Sequence, residues 1–171
     1  MAELTNIGMT SQSSEDRKHF LIGIISDTHS RLSQATLNIF KGVDIIIHAG
    51  DIGAPEILEV LEHTAPVIAV RGNMDGGSWI NELPDSRVVK IGKVLLYVLH
   101  DLYELDLDPK AGGFNAVISG HTHRPVIKEQ DGVLYLNPGS VSYPGYAGQN
   151  TVALLQVKGK RLSARFVEVG E

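Results

Sequence analysis

Cysteine is absent from this sequence. Disulfides, thiolate ligands and thiol nucleophiles are therefore excluded, and the redox compartment stays open. Apolar runs are short, and none reaches the length that spans a membrane. The N-terminus lacks a basic segment followed by an apolar one, so a secretory signal is not expected. Basic residues are outnumbered, with 15 Lys and Arg against 20 Asp and Glu and a net charge of −5. Binding to a nucleic-acid backbone needs a basic face, so a nucleic-acid partner is not expected. A small phosphorylated substrate stays open, because a metal ion can supply local positive charge. A soluble cytoplasmic protein is the default expectation. What the sequence does have is apolar content, 43% of 171 residues. That suffices for the core of one domain and excludes disorder of the whole chain.

Residues 1–18 are polar and follow no sustained period, which reads as a flexible N-terminal extension. Residues 19–171 read as a single domain. Phe20 to Ile25 is an apolar run too short for an ordinary helix, so it reads as a strand buried on both faces. Leu32 to Phe40 has helical spacing, with Ser33 as N-cap and Gly42 as a stop. A second strand covers Asp44 to His48, a helix begins at Pro55, and a third strand covers Val67 to Val70. Strand–helix alternation implies parallel strands with right-handed crossovers. Ligand sites in such sheets lie beyond the C-terminal strand ends.

The texture then changes. Arg87 to Leu99 reads as two strands turning at Gly92-Lys93, and Asp108-Pro109 opens a short helix ended by Gly112-Gly113. Hairpins follow around Asp131-Gly132 and around Lys158-Gly159-Lys160. This half reads as strand-rich and sequentially antiparallel. The expected assembly is α/β, with two packed mixed sheets flanked by helices. Sheet edges exposed by the hairpins invite pairing, so a homodimer is expected.

Chemistry concentrates where strands stop. Ala116 to Ile118 leads into Ser119-Gly120-His121-Thr122-His123, and alternate residues of an extended chain point the same way. Asp27 and His29 repeat that spacing after the first strand. Asp51, Asn73 and His100 stand at three further strand ends. Two carboxylates, one amide and four imidazoles exceed what one metal ion needs. They suit two, with one carboxylate shared between them. Two divalent cations leave surplus positive charge beside two carboxylates, which attracts hydroxide and phosphate.

In order, Asp27-Thr28-His29, Gly50-Asp51, Gly72-Asn73, His100 and Gly120-His121-Thr122-His123 resemble the motif series of the calcineurin-like metallophosphoesterase superfamily. The match runs from about Leu21 to Ser140. Val70 to Asp75 and Leu136 to Ser140 look like its compact bacterial and archaeal phosphodiesterase branch. The resemblance implies the four-layer sandwich of that family. It implies that Asp27, His29 and His123 hold one metal, that Asn73, His100 and His121 hold the other, and that Asp51 bridges. Asp51, Asn73 and His100 are then the catalytic residues. The implied reaction is two-metal hydrolysis of a small phosphoester, most simply a phosphodiester, by a metal-bridging hydroxide. Manganese is the first candidate, with iron, nickel, zinc and magnesium compatible with mixed N/O ligation. The alternative function is a scaffold for protein interaction, like the retromer subunit of similar fold.

Two positions depart from the family pattern. Met74 stands where many members have a His that protonates the leaving group. Asp101-Leu102 stands where many have Gly-His, and Asp101 either orients His100 or is solvated. Several residues have plain readings. His48 reads as a hydrogen-bonded core histidine, His63 as solvated or compensating a helix end, and His19 as lying at the edge of the tail. Arg71 and Arg124 read as substrate contacts or surface charges. Trp79 and Tyr143 read as cleft walls, packing residues or a subunit contact, and Asp75 as a helix N-cap. Ser26, Ser119 and Ser140 have no triad partners.

Overall fold

The structure, a computed structural model, describes residues 3–6, 19–142 and 148–170. Two sheets form its centre. The first carries β2 (His19–Ile25), β3 (Ile45–His48) and β4 (Val67–Ala69) as parallel neighbours. β10 (Thr151–Lys158) and β11 (Arg161–Glu168) extend it antiparallel, in the order β11-β10-β2-β3-β4. The second has the order β1-β5-β6-β7-β9-β8. Its members are β1 (Glu3–Asn6), β5 (Ser86–Ile91), β6 (Val94–Leu99), β7 (Ala116–Ile118), β8 (Val126–Gln130) and β9 (Val133–Asn137).

Alternation along the strands builds the layers. Ile22, Ile24, Ile45 and Ile47 face Val89, Leu96, Val98, Ile118 and Leu136 across the sheet interface. The alternate residues Ile25 and Ile46 face outward, against Phe40, Ile57 and Leu61. The last three belong to α1 (Gln34–Ile39) with its C-cap, and to α2 (Pro55–Glu62). Ser33 caps α1, its hydroxyl accepting the Thr36 N–H. Pro55 sits in the first turn of α2, where its missing N–H costs nothing. No helix among the described residues is long and apolar enough to cross a membrane.

Three expectations are corrected. The second half is not sequentially antiparallel: β6, β7 and β9 run parallel in the second sheet, with β1, β5 and β8 reversed. The helix expected after Asp108 is a single turn. Asp108 accepts the N–H groups of Lys110 and Ala111, and Phe114 N–H closes on Pro109 O at 2.9 Å. Gly112-Gly113 stops the turn before a second can form, and one turn alone does not repay helix nucleation. Phe114 then packs edge-on against Tyr97 on the outer face of the second sheet. Finally, residues 3–6 of the expected loose extension form β1, paired parallel to β5. Short edge strands tolerate polar sequence, which hides them from a hydrophobic reading.

Candidate metal centre

The C-terminal ends of β2, β3, β4, β6 and β7 converge on one cleft. Backbone bonds lock the loops together: Asp27 N–H to Gly50 O and His29 N–H to Asp51 O, each 3.0 Å, and Gly120 N–H to His100 O, 2.9 Å. Two glycines permit this approach. A Cβ on Gly120 would lie 1.9 Å from Ser26 Oγ, and one on Gly50 would lie 2.6 Å from His100 Nδ1. Gly50 also has a φ of 92°, open to glycine without strain.

All seven residues expected at the strand ends come together here. Asp27 is fully buried and Asp51 nearly so, while His29 and His123 are half-buried at the rim. His29 Nε2 and His123 Nε2 face each other at 3.4 Å, and Asp27 Oδ1 lies 3.2 Å from His123 Nε2. A second group shares its neighbour. Asn73 Oδ1 lies 3.1 Å from His100 Nε2 and 3.0 Å from His121 Nδ1. Asp51 Oδ2 sits between the groups, 3.4 Å from His100 Nε2 and 3.9 Å from His29 Nε2. Its other oxygen, Oδ1, accepts the Met74 N–H at 2.8 Å.

The donor set fits divalent cations. Asp27 Oδ1 is buried with no hydrogen bond and faces His123 Nε2 at 3.2 Å, while Oδ2 accepts the His121 N–H. A buried carboxylate oxygen with no hydrogen bond is costly unless a cation meets it. Imidazole nitrogens converging with carboxylate and amide oxygens are the ligand types such ions take. Backbone strain points to the same place. Asp27, His29, Asp51, His121 and His123 all have positive φ, between 44° and 69°. Non-glycine residues seldom adopt that region, and strained backbone clusters at functional sites.

Charges respond to this crowding. Burial pushes the Asp27 carboxyl above the usual range. Burial pushes Asp51 up as well, but hydrogen bonding to His100 and the Met74 N–H outweighs it, so the net shift is downward. His100 is the counterpart. Burial lowers its pKa, yet Asp51 and the Ala49 carbonyl raise it above the ordinary value.

Some residues sit differently from expectation. Asp101 does not orient His100, whose Nδ1 donates to Ala49 O at 2.7 Å. Asp101 Oδ2 instead lies 3.6 Å from His121 Nε2. His48 is fully buried among core residues, its Nε2 3.0 Å from Thr28 Oγ1. His63 Nδ1 meets the Glu59 carbonyl in the last turn of α2. Arg71 pairs with Asp85 at the cleft wall. Trp79 packs against the helix-side core, and Tyr143 lies outside the described residues. Asp75 is no helix cap: the following 3₁₀ turn, Ser78–Glu82, has Gly77 at its N-cap.

Sequence reasoning missed the supports behind the ligands. Ser140 and Ser142 hydroxyls both donate to Asp27 O, at 3.0 and 2.8 Å. Asn137 Nδ2 donates to Gly120 O at 2.6 Å. Their one local signal was Leu136 to Ser140, which carries the branch resemblance but does not say which groups these side chains hold.

Beside the second group opens a cleft of about 400 Å³, lined by Arg71, Asn73, Ile80, Asp85, Asp101 and Glu104 among others. Residues 20–160 match the family model described as calcineurin-like phosphoesterase superfamily domain. A probable metallophosphoesterase of Methanothermobacter thermautotrophicus is 38% identical over 162 residues, 88% of this chain and 93% of that protein. A solved archaeal phosphodiesterase is similar with a TM-score of 0.71 at 31% identity, covering 86% of this chain and 99% of its own. Vacuolar protein sorting 29 from Cryptosporidium parvum reaches a TM-score of 0.72 at 18% identity, covering 91% and 100%, a likeness of fold alone. Sequence match, fold and the convergence of donors at the strand ends agree that the chain belongs to the calcineurin-like phosphoesterase superfamily.

Proposed function

We propose that the chain is a metal-dependent phosphodiesterase with a dinuclear centre. Asp27, His29 and His123 hold one ion, Asn73, His100 and His121 hold the other, and Asp51 joins them. The observation that carries this reading is the position of Asp51 Oδ2 between the two donor groups. When bound, two divalent ions lower the pKa of water and polarise phosphate oxygens. Manganese suits the mixed donors, as do iron, nickel, zinc and magnesium.

The chain's own residues prepare that chemistry. Met74 N–H donates to Asp51 Oδ1 and so holds this carboxylate with Oδ2 toward the two donor groups. The Ala49 carbonyl accepts a hydrogen bond from His100 Nδ1–H and turns Nε2 into the cleft. Asp101 Oδ2 stands on the Nε2 side of His121, 3.6 Å away. A serine nucleophile has no place in the scheme. Ser26 Oγ donates to Ala49 O, and Ser140 Oγ to Asp27 O. Met74, 67% exposed, has no proton to give a departing alkoxide. Esters with stable leaving groups are therefore the better substrates.

The test is nitrophenol release from the bis-ester and from the monoester, with and without chelator. Chelator-sensitive turnover of the bis-ester is expected, and Asp51→Asn loses metal and turnover together. Turnover indifferent to chelator, or Asp51→Asn keeping both ions at full rate, overturns the proposal. Metal uptake with no turnover of either ester favours the scaffold reading instead. A homodimer through exposed sheet edges belongs to the same proposal, since β8 lies exposed at the edge of its sheet.

A further inference from the structure

The turn that carries Asn73 also carries a carboxylate with no part in the chemistry above. Asp75 is 9% exposed, and both its oxygens are engaged. Oδ1 accepts the Gly53 N–H at 2.8 Å, and Oδ2 accepts the Gly72 N–H at 2.8 Å. Gly53 lies two residues after Asp51, and Gly72 directly precedes Asn73. One side chain thus ties the loop after β3 to the loop after β4. Between the same loops runs the bond from Met74 N–H to Asp51 Oδ1.

Both Asp75 oxygens are held by backbone N–H donors, one from each loop. Hydrogen bonds to an ionised acceptor are roughly twice as strong as neutral ones, so the carboxylate grips both loops firmly.

We propose that Asp75 is a positioning residue, a clamp that sets the spacing between Asp51 Oδ2 and Asn73 Oδ1. It thereby sets the affinity of the position formed by Asp51, Asn73, His100 and His121 for a divalent cation. This inference rests on the dinuclear reading above. The need for a clamp follows from the strand ends. β4 is three residues long, and Asp51 is held at a φ of 53°. Ligand distances matter within about 0.2 Å, so small loop movements change affinity.

The experiment titrates cobalt(II) into chelator-stripped protein, following heat and visible absorption. The proteins are wild type, Asp75→Asn, Asp75→Glu and Asp85→Asn. Asn keeps one acceptor oxygen but sets its NH₂ against the other backbone N–H. For Asp75→Asn, cobalt affinity at one of the two positions should fall roughly 10–100-fold, the range for lost supporting contacts. Its absorption band should change as well, while the other position binds as in wild type. Asp75→Glu keeps the charge and changes the reach, so it should lose affinity at the same position. It also serves if Asp75→Asn does not fold. Asp85→Asn removes a charge from the same cleft wall and should leave both positions unchanged. Wild-type affinity in Asp75→Asn and Asp75→Glu, or equal loss in Asp85→Asn, overturns the clamp alone. Wild-type protein that takes up no cobalt overturns the dinuclear reading and the clamp with it.

Discussion

Gly72→Ala is the sharpest steric test of the centre. Gly72 has no positive φ, so alanine carries no backbone strain there, and the effect comes from the added methyl alone. That methyl would lie 2.2 Å from Asp51 N and 2.2 Å from Asp51 Oδ1. Ordinary contact begins at 3.4 Å, so Asp51 must retreat by about 1.2 Å. The obstacle is partly backbone, which has no rotamer to escape into. Overpacking of this kind costs about 1–3 kcal/mol. In a chain of this size that lowers the melting temperature by roughly 2–12 °C. The same retreat exceeds the tolerance of about 0.2 Å for metal–ligand distances by several-fold. Asp51 Oδ2 would then leave its place between His29 and His100. Metal content of protein purified without chelator should fall along with stability. Gly76→Ala is the control four residues away. Its methyl would meet nothing within 4 Å, and its φ is not positive. It should be neutral or stabilising by about 0.4–1 kcal/mol, through the unfolded chain. If Gly72→Ala melts like wild type and keeps its metal, the close approach of the two loops is not as described.

Two further outcomes are expected. Met74→His supplies a proton donor beside Asn73, so alkyl phosphodiesters should gain on aryl ones, within the roughly 10²–10⁴-fold worth of general acid catalysis. Equal alkyl and aryl rates in the unmodified protein would show that another acid already serves. His48 makes acid stability measurable, because burial pulls its pKa from 6.5 down to about 3. Its Nε2 donates to Thr28 Oγ1, and its Nδ1 is buried without a partner. The unfolded chain takes up this proton near pH 6.5 and the folded one only near 3, so folding is opposed increasingly as pH falls between them. The slope from this one group is about 1.4 kcal/mol per pH unit. Urea unfolding in chelator at several pH values should show that slope reduced in His48→Gln. An unchanged slope would remove His48 as the cause.

Much of the centre was legible because its signals are local. Each of β2, β3, β4, β6 and β7 is a short, mostly apolar run followed within four residues by a candidate ligand. Period-two burial and the strand-end rule place such ligands on one rim. Ser33, Pro55 and Asp131-Gly132 announced their cap, first turn and hairpin for the same reason, since each acts on its own neighbours. The helix expected after Asp108 shows the limit. Its start signal was present, but Gly112-Gly113 left room for one turn, and packing of Phe114 on Tyr97 decided the path.

The sequence by itself determined which polar residues stand beyond the ends of which strands, and so which are candidates for a shared site. Only the tertiary structure decided their relations. It joined β9 parallel to β7 rather than continuing an antiparallel meander, and it laid β10 beside β2. It chose Nε2 of His100 but Nδ1 of His121 to face Asn73, set Asp101 behind His121, and turned Asp75 onto two loops. The physical reason is range. Hydrophobic period, caps and turns act between residues a few positions apart. The partner of a strand, or of a ring nitrogen, is chosen by groups tens of residues away, which meet only when the sheets close on each other.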